Sequence, residues 1–134
     1  MSANLDLVRS IYADWEHGDF SSLKWADPKI EYTVVGGPMA GSWIGVAAMT
    51  DITREHISAL EGFHIAVDEC RELDGERVLL LWSFRGRAKA SGIDAAEIPG
   101  ATGAYLFDIR RGKVMKLTYY TSCDRAFADL GLKE

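Results

Sequence analysis

The chain has 134 residues, 48% of them hydrophobic and 26% charged, with a formal net charge of −5. That length supports one domain with one core, residues 1–134, and the acidic balance argues against nucleic acid or an anionic membrane surface as partner, since both demand a basic face. No run approaches ~18 consecutive apolar residues and Met1-Ser2-Ala3-Asn4-Leu5-Asp6 lacks a basic lead into an apolar stretch, so neither a membrane span nor a signal peptide is expected and the chain reads as cytoplasmic.

Leu5, Val8, Ile11, Tyr12 and Trp15 recur at helical spacing and predict a first helix from Leu5 to His17, with Asn4 as N-cap and Asp6 at its positive end. Gly18-Asp19 stops it. Ser21 or Ser22 caps a brief second helix through Leu23 and Trp25, which Asp27-Pro28 ends. Ile30 to Val35 is β-branched and aromatic, a strand that Gly36-Gly37-Pro38 breaks. A Gly-rich stretch around Gly41 and Gly45 carries Trp43. Met49, Ile52, His56, Ile57 and Leu60 mark an amphipathic helix from Ala47 to Leu60.

The remainder reads as strands. Phe63, Ile65 and Val67 alternate with His64, Ala66 and Asp68, and Asp74-Gly75 is a hairpin turn. In the strand from Val78 to Lys89, Leu80, Trp82 and Phe84 point one way, while Ser83, Arg85, Arg87 and Lys89 largely point the other. Ala90 to Thr102 is loop-like. Gly103 to Ile109 is a strand, Arg111-Gly112 a turn, Lys113 to Thr121 the last strand, and Asp124 to Leu130 a short terminal helix. The order α-α-β-α-β-β-β-β is an α+β layout: a curved antiparallel sheet wrapped round the N-terminal helix into a cone.

Several short pieces in this order carry a resemblance. They are Glu16-His17-Gly18-Asp19 after the aromatic first helix, Asp27-Pro28-Lys29-Ile30-Glu31 before the first strand, and Trp43-Ile44-Gly45 before the third helix. Ala90-Ser91-Gly92, Arg111-Gly112-Lys113-Val114 and Ala126-Phe127-Ala128-Asp129-Leu130-Gly131-Leu132 complete them. Over essentially its whole length the chain resembles the SnoaL-like polyketide cyclase group of the nuclear transport factor 2-like (ketosteroid isomerase-like) superfamily. The resemblance implies a cone-shaped roll, also known as cystatin-like, usually a homodimer, with a small-molecule pocket between the first helix and the sheet. It does not imply one reaction, because members isomerise, cyclise, hydrolyse, dehydrate or only bind.

Carried over residue by residue, the family's catalytic positions are vacant. The isomerase tyrosine falls at Ile11, beside Tyr12; its carboxylate base falls at Tyr32, and its neutral acid near Tyr105. The acid that cyclase-type relatives place two residues beyond the last-strand tyrosine, here Tyr120, falls at Ser122, a poor base unless another group activates it.

What remains is an aromatic belt. If the fold holds, Trp15, Tyr32, Trp82, Phe84, Tyr105, Phe107 and Tyr119 all look into the cone, and Ile11, Trp43, His56 and Leu117 complete the expected pocket wall. The alternative is a plain hydrophobic core. Buried Tyr and Trp need partners for their O–H and N–H, however, and a pocket for a small apolar or planar molecule supplies them.

His64 is the best general-base candidate, although its alternation with Phe63 and Ile65 turns it outward unless the register slips by one residue. His17 reads as a helix-end charge, and Asp14 and Asp108 as outward-facing groups. The histidines have no metal-ligand spacing with one another or with Cys70, so neither metal nor other cofactor is expected, and Cys70 and Cys123 read as separate thiols. Three functions compete: an acid/base enzyme of isomerase, cyclase or dehydratase type, a non-catalytic binder, and a dimerisation module whose cavity is incidental.

Overall fold

The computed structural model describes residues 3–16, 24–36, 40–58, 60–88 and 102–131, with the side chains of 53–65, 84–88 and 102 left aside. In chain order these residues form α1 (Ala3–Glu16), β1 (Ala26–Val35), β2 (Gly41–Ile44), α2 (Val46–Ser58), β3 (Leu60–Glu72), β4 (Arg77–Ala88), β5 (Thr102–Arg110), β6 (Lys113–Tyr120) and α3 (Cys123–Leu130). The strands make one six-stranded sheet in the order β2-β1-β6-β5-β4-β3. It is curved, as expected, but unclosed, and mixed rather than wholly antiparallel. Tight turns force β3–β4 and β5–β6 to run antiparallel, whereas β1 and β6 are joined by no turn and pair in parallel, Tyr32 opposite Leu117 and Val34 opposite Tyr119.

Several boundaries differ from those the sequence predicts. β1 starts at Ala26, ahead of Asp27-Pro28, because Ala26 already pairs with Val114, and the ladder is then interrupted until Glu31. Pro28, which has no N–H to donate, sits in that irregular stretch. The brief helix expected before it falls mostly outside the described residues; Lys24 and Trp25 form a turn. Gly41–Ile44 is an unexpected edge strand, pairing Trp43 with Tyr32. Leu60 opens β3 instead of closing α2, since its backbone pairs with Ala88 across a hairpin that runs to Glu72 and Val78. Asn4 lies inside α1, where its side-chain amide donates to the Gly75 carbonyl at 2.8 Å rather than capping the helix. The loop expected from Ala90 falls outside the described residues. Among those residues no helix is long and apolar enough to cross a membrane.

Alternation along the strands divides the apolar residues between two faces. Val78, Leu80 and Trp82 of β4, Phe107 of β5, and Leu117 and Tyr119 of β6 pack on the concave face with Val8, Ile11 and Trp15 of α1. Leu79, Ala104, Leu106 and Tyr120 point the other way and are covered by Ala126 and Phe127 of α3. Ser122 caps α3, its side chain accepting from the Arg125 N–H. Register irregularities at Val67/Glu69 and Asp108/Ile109 add local bends that curve the sheet toward α1.

The β5–β6 connection is a two-residue turn in which both central residues have positive φ, Arg111 at 53° and Gly112 at 76°. That is the mirror-image turn whose twist suits a hairpin. Gly112→Ala meets no side chain in the way, so its penalty is conformational alone, about 1–2 kcal/mol. Urea denaturation should show that loss with an unchanged slope.

Candidate functional site

The concave face is an aromatic assembly that five strands and α1 build together. Cross-strand pairing puts Tyr105 opposite Tyr119, Phe107 opposite Leu117, and Trp82 opposite Gly103. β1 contributes Tyr32 and the edge strand contributes Trp43, with ring centroids 6.3 Å apart. Trp15 descends from α1 to 5.3 Å from Tyr105 and 6.1 Å from Phe107. Trp82 stacks on Tyr105 at 5.4 Å with an interplanar angle of 27°, and Tyr119 lies 5.3 Å from both. Such offset and edge-on contacts are the favoured aromatic geometries.

The structure therefore brings together Ile11, Trp15, Tyr32, Trp43, Trp82, Tyr105, Phe107, Leu117 and Tyr119 from the sequence-based set. Most are buried, and Trp43 and Tyr105 are half-buried. The backbone of His56 lies in α2, that of His64 in β3 opposite Arg85, and that of Phe84 in β4 opposite Ile65, but their side chains lie outside the described ones. Sequence reasoning missed Trp25 as a member. It packs edge-on against Trp15 at 6.1 Å and against Phe107 at 6.4 Å. No periodicity could reveal it, because it sits in a turn before a proline.

Tyr105 stands at the centre. Burial pushes its hydroxyl well above the ordinary phenol range, and the neighbouring Tyr32 and Tyr119, with a side-chain hydrogen bond to Tyr32, push the same way. Its residue-level exposure is nonetheless intermediate. The two observations fit a ring that opens on one side while its oxygen stays deep. Burial likewise raises Tyr119 to about 12 and raises the Cys70 thiol, which Arg9 partly opposes. At neutral pH the phenols of this group are thus neutral hydrogen-bond donors rather than bases.

A raised phenol pKa has a stability consequence. Both folded and unfolded Tyr119 are protonated below about pH 10, so nothing is lost there. Between about pH 10 and about 12 the unfolded chain is ionised while the folded one still holds its proton, and stability falls across that window. Alkaline denaturation followed by tyrosinate absorbance should show this fall, and Tyr119→Phe should reduce it.

Other groups lie away from the cluster. Asp14 is exposed on α1. Asp108 sits on the opposite sheet face, in register with Arg77 and Lys116; burial raises its carboxyl while those two cations lower it. Cys70 packs against the edge of the cluster and Cys123 lies outside it, its thiol donating to the Gly103 carbonyl at 3.3 Å; the two are not joined in a disulfide. Among the described residues no group of three His, Cys, Asp or Glu gathers where a metal ion could be held.

No protein-family model matches the chain, and neither does any curated protein. Solved structures do match. An NTF2-like (nuclear transport factor 2-like) protein of unknown function from Burkholderia pseudomallei K96243 superposes with a TM-score of 0.74 at 21% identity, covering 96% of this chain and 97% of that one. TerC, co-crystallised with polyporic acid, gives 0.71 at 21% identity over 96% and 98%. A candidate SnoaL-like polyketide cyclase from Mesorhizobium loti gives 0.66 at 18% identity over 89% and 99%. Identities this low establish architecture alone. The chain has the nuclear transport factor 2-like fold, which the resemblance carried by its short motifs implied.

Proposed function

We propose that this protein binds a small planar, largely apolar molecule between α1 and the concave face of the sheet. The observation that carries this reading is the half-buried Tyr105 ring. It stacks on Trp82 and contacts Trp15 and Tyr119, yet part of the residue stays exposed. A flat ligand would add one more ring to that stack, and the tyrosine hydroxyls would donate to its carbonyl or hydroxyl oxygens. That TerC, with the same fold, was co-crystallised with polyporic acid supports this choice of ligand shape.

Binding is the primary reading because burial favours the neutral forms of the Tyr105 and Tyr119 phenols and of the Cys70 thiol. Proton transfer on the ligand would have to draw on His64 or His56. In that case His64→Ala abolishes turnover and leaves binding intact. The proposal includes a homodimer, for which sedimentation equilibrium should give twice the 14.8 kDa chain mass.

Calorimetric titration with polyporic acid tests the pocket. Saturable binding is expected, weakened roughly tenfold in Tyr105→Leu, which keeps an apolar side chain and removes the ring on which the ligand would stack. Binding that is absent in the parent protein, or equal in the variant, defeats the reading.

A further inference from the structure

We propose that the cleft between the outer flank of α1 and the β5–β6 turn is a second binding site, one that takes a small zwitterion with an apolar body, such as a free hydrophobic amino acid. The cleft has a volume of about 270 Å³. Its floor is apolar: Leu7 and Ile11 of α1 and the indole of Trp25, which is only 8% exposed. Its rim carries Asp14 from the next turn of α1, Lys24 and Lys113. Leu7, Ile11 and Asp14 lie on one face of the helix, at the spacing that stacks side chains above one another.

The charges on the rim select the ligand. Lys113 is already engaged, its ammonium donating to the Lys24 backbone carbonyl. Among the described residues, neither the Asp14 carboxylate nor the Lys24 ammonium makes an ion pair. One free negative and one free positive group therefore flank one apolar floor. A simple anion meets Asp14 unfavourably, a simple cation meets both lysines, and a neutral apolar molecule partly desolvates all three with no return. A zwitterion satisfies both signs at once. The Ser10 hydroxyl donates to the Leu7 carbonyl at 2.7 Å, which leaves its oxygen lone pairs to accept from a ligand ammonium. Gly112 adds no side chain at the turn, keeping the cleft open on that side.

This site is separate from the aromatic cluster and does not depend on the binding reading above. Trp25 forms the partition. It lines the cleft, and its ring packs edge-on against Trp15 and Phe107 of the cluster. Affinity should be modest, on the order of a millimolar dissociation constant, because the charged groups are exposed and each ion pair adds little.

The test is a heteronuclear NMR titration of the full chain with L-phenylalanine, with N-acetyl-L-phenylalanine as the anionic probe and L-phenylalaninamide as the cationic one. Expected are saturable shifts at the Trp25 indole N–H and the Gly112 amide with L-phenylalanine, and binding roughly fivefold weaker for either probe. Asp14→Asn should lower L-phenylalanine to the level of the acetylated probe, and Lys24→Gln to that of the amide. Both positions are exposed, so the spectra should otherwise keep their dispersion. Shifts that are absent, that centre on Tyr105 and Trp82, that are equal for all three compounds, or that survive both substitutions overturn the proposal.

Discussion

Trp82→Ala is expected to destabilise the protein by about 3–5 kcal/mol, the range for truncating a large buried aromatic side chain. Trp82 is 0% exposed and lies against two rings at once, Tyr105 at 5.4 Å and Tyr119 at 5.3 Å. Neither neighbour can collapse into the space it leaves, because Tyr105 is held by Trp15 on its other side and both tyrosines belong to sheet strands that are hydrogen-bonded on both edges. The vacated volume therefore persists as a cavity, and the cost tends toward the upper end. Guanidinium denaturation should place the midpoint far below that of the parent protein. A shift below ~1 kcal/mol would mean that the indole borders open space rather than a packed wall.

Gly103→Ala is expected to lower stability by about 3 kcal/mol, at the high end for overpacking. A Cβ at this position would lie 2.7 Å from Cζ2 of Trp82 and 2.7 Å from the Tyr120 carbonyl oxygen. The indole could swing aside only by disturbing its stack on Tyr105. The carbonyl oxygen belongs to the β6 backbone and can yield only if the β5–β6 pairing shifts. The glycine is thus required by close approach: directly opposite Trp82 in the β4–β5 register, it lets the indole lie across the neighbouring strand. In Trp82→Phe the outer ring atoms are gone, so Gly103→Ala made on that background should lose about 1 kcal/mol less than in the parent. Strict additivity of the two changes would show that the carbonyl contact alone sets the penalty.

The glycine also shows where sequence reading runs out. Gly103 is legible only as the first residue of a strand. That it faces an indole depends on β4 and β5 pairing in one particular register, which no local pattern specifies. Trp25 is a similar case. Its neighbours suggest a helix end, and only the path of the chain round Pro28 carries it against Trp15 and Phe107. The cleft beside it, where Lys113 joins Asp14 and Lys24 from the far end of the chain, has no sequence signature.

What the sequence by itself determined is the set of elements and their faces. Helical periodicity marked Val8, Ile11 and Trp15 as one stripe, and alternation placed Leu80 and Trp82 together on one side of β4; both groups pack in the concave core. Short turns around Asp74-Gly75 and at Arg111-Gly112 fixed the antiparallel hairpins. These are local properties, set by dihedral preferences and by which side chains leave water. The tertiary structure alone decided the parallel β1–β6 pairing, the edge strand that brings Trp43 to Tyr32, and the meeting of Tyr32, Tyr105 and Tyr119 from three strands. Each depends on contacts between segments far apart in the chain, whose register is chosen by how the whole concave face packs.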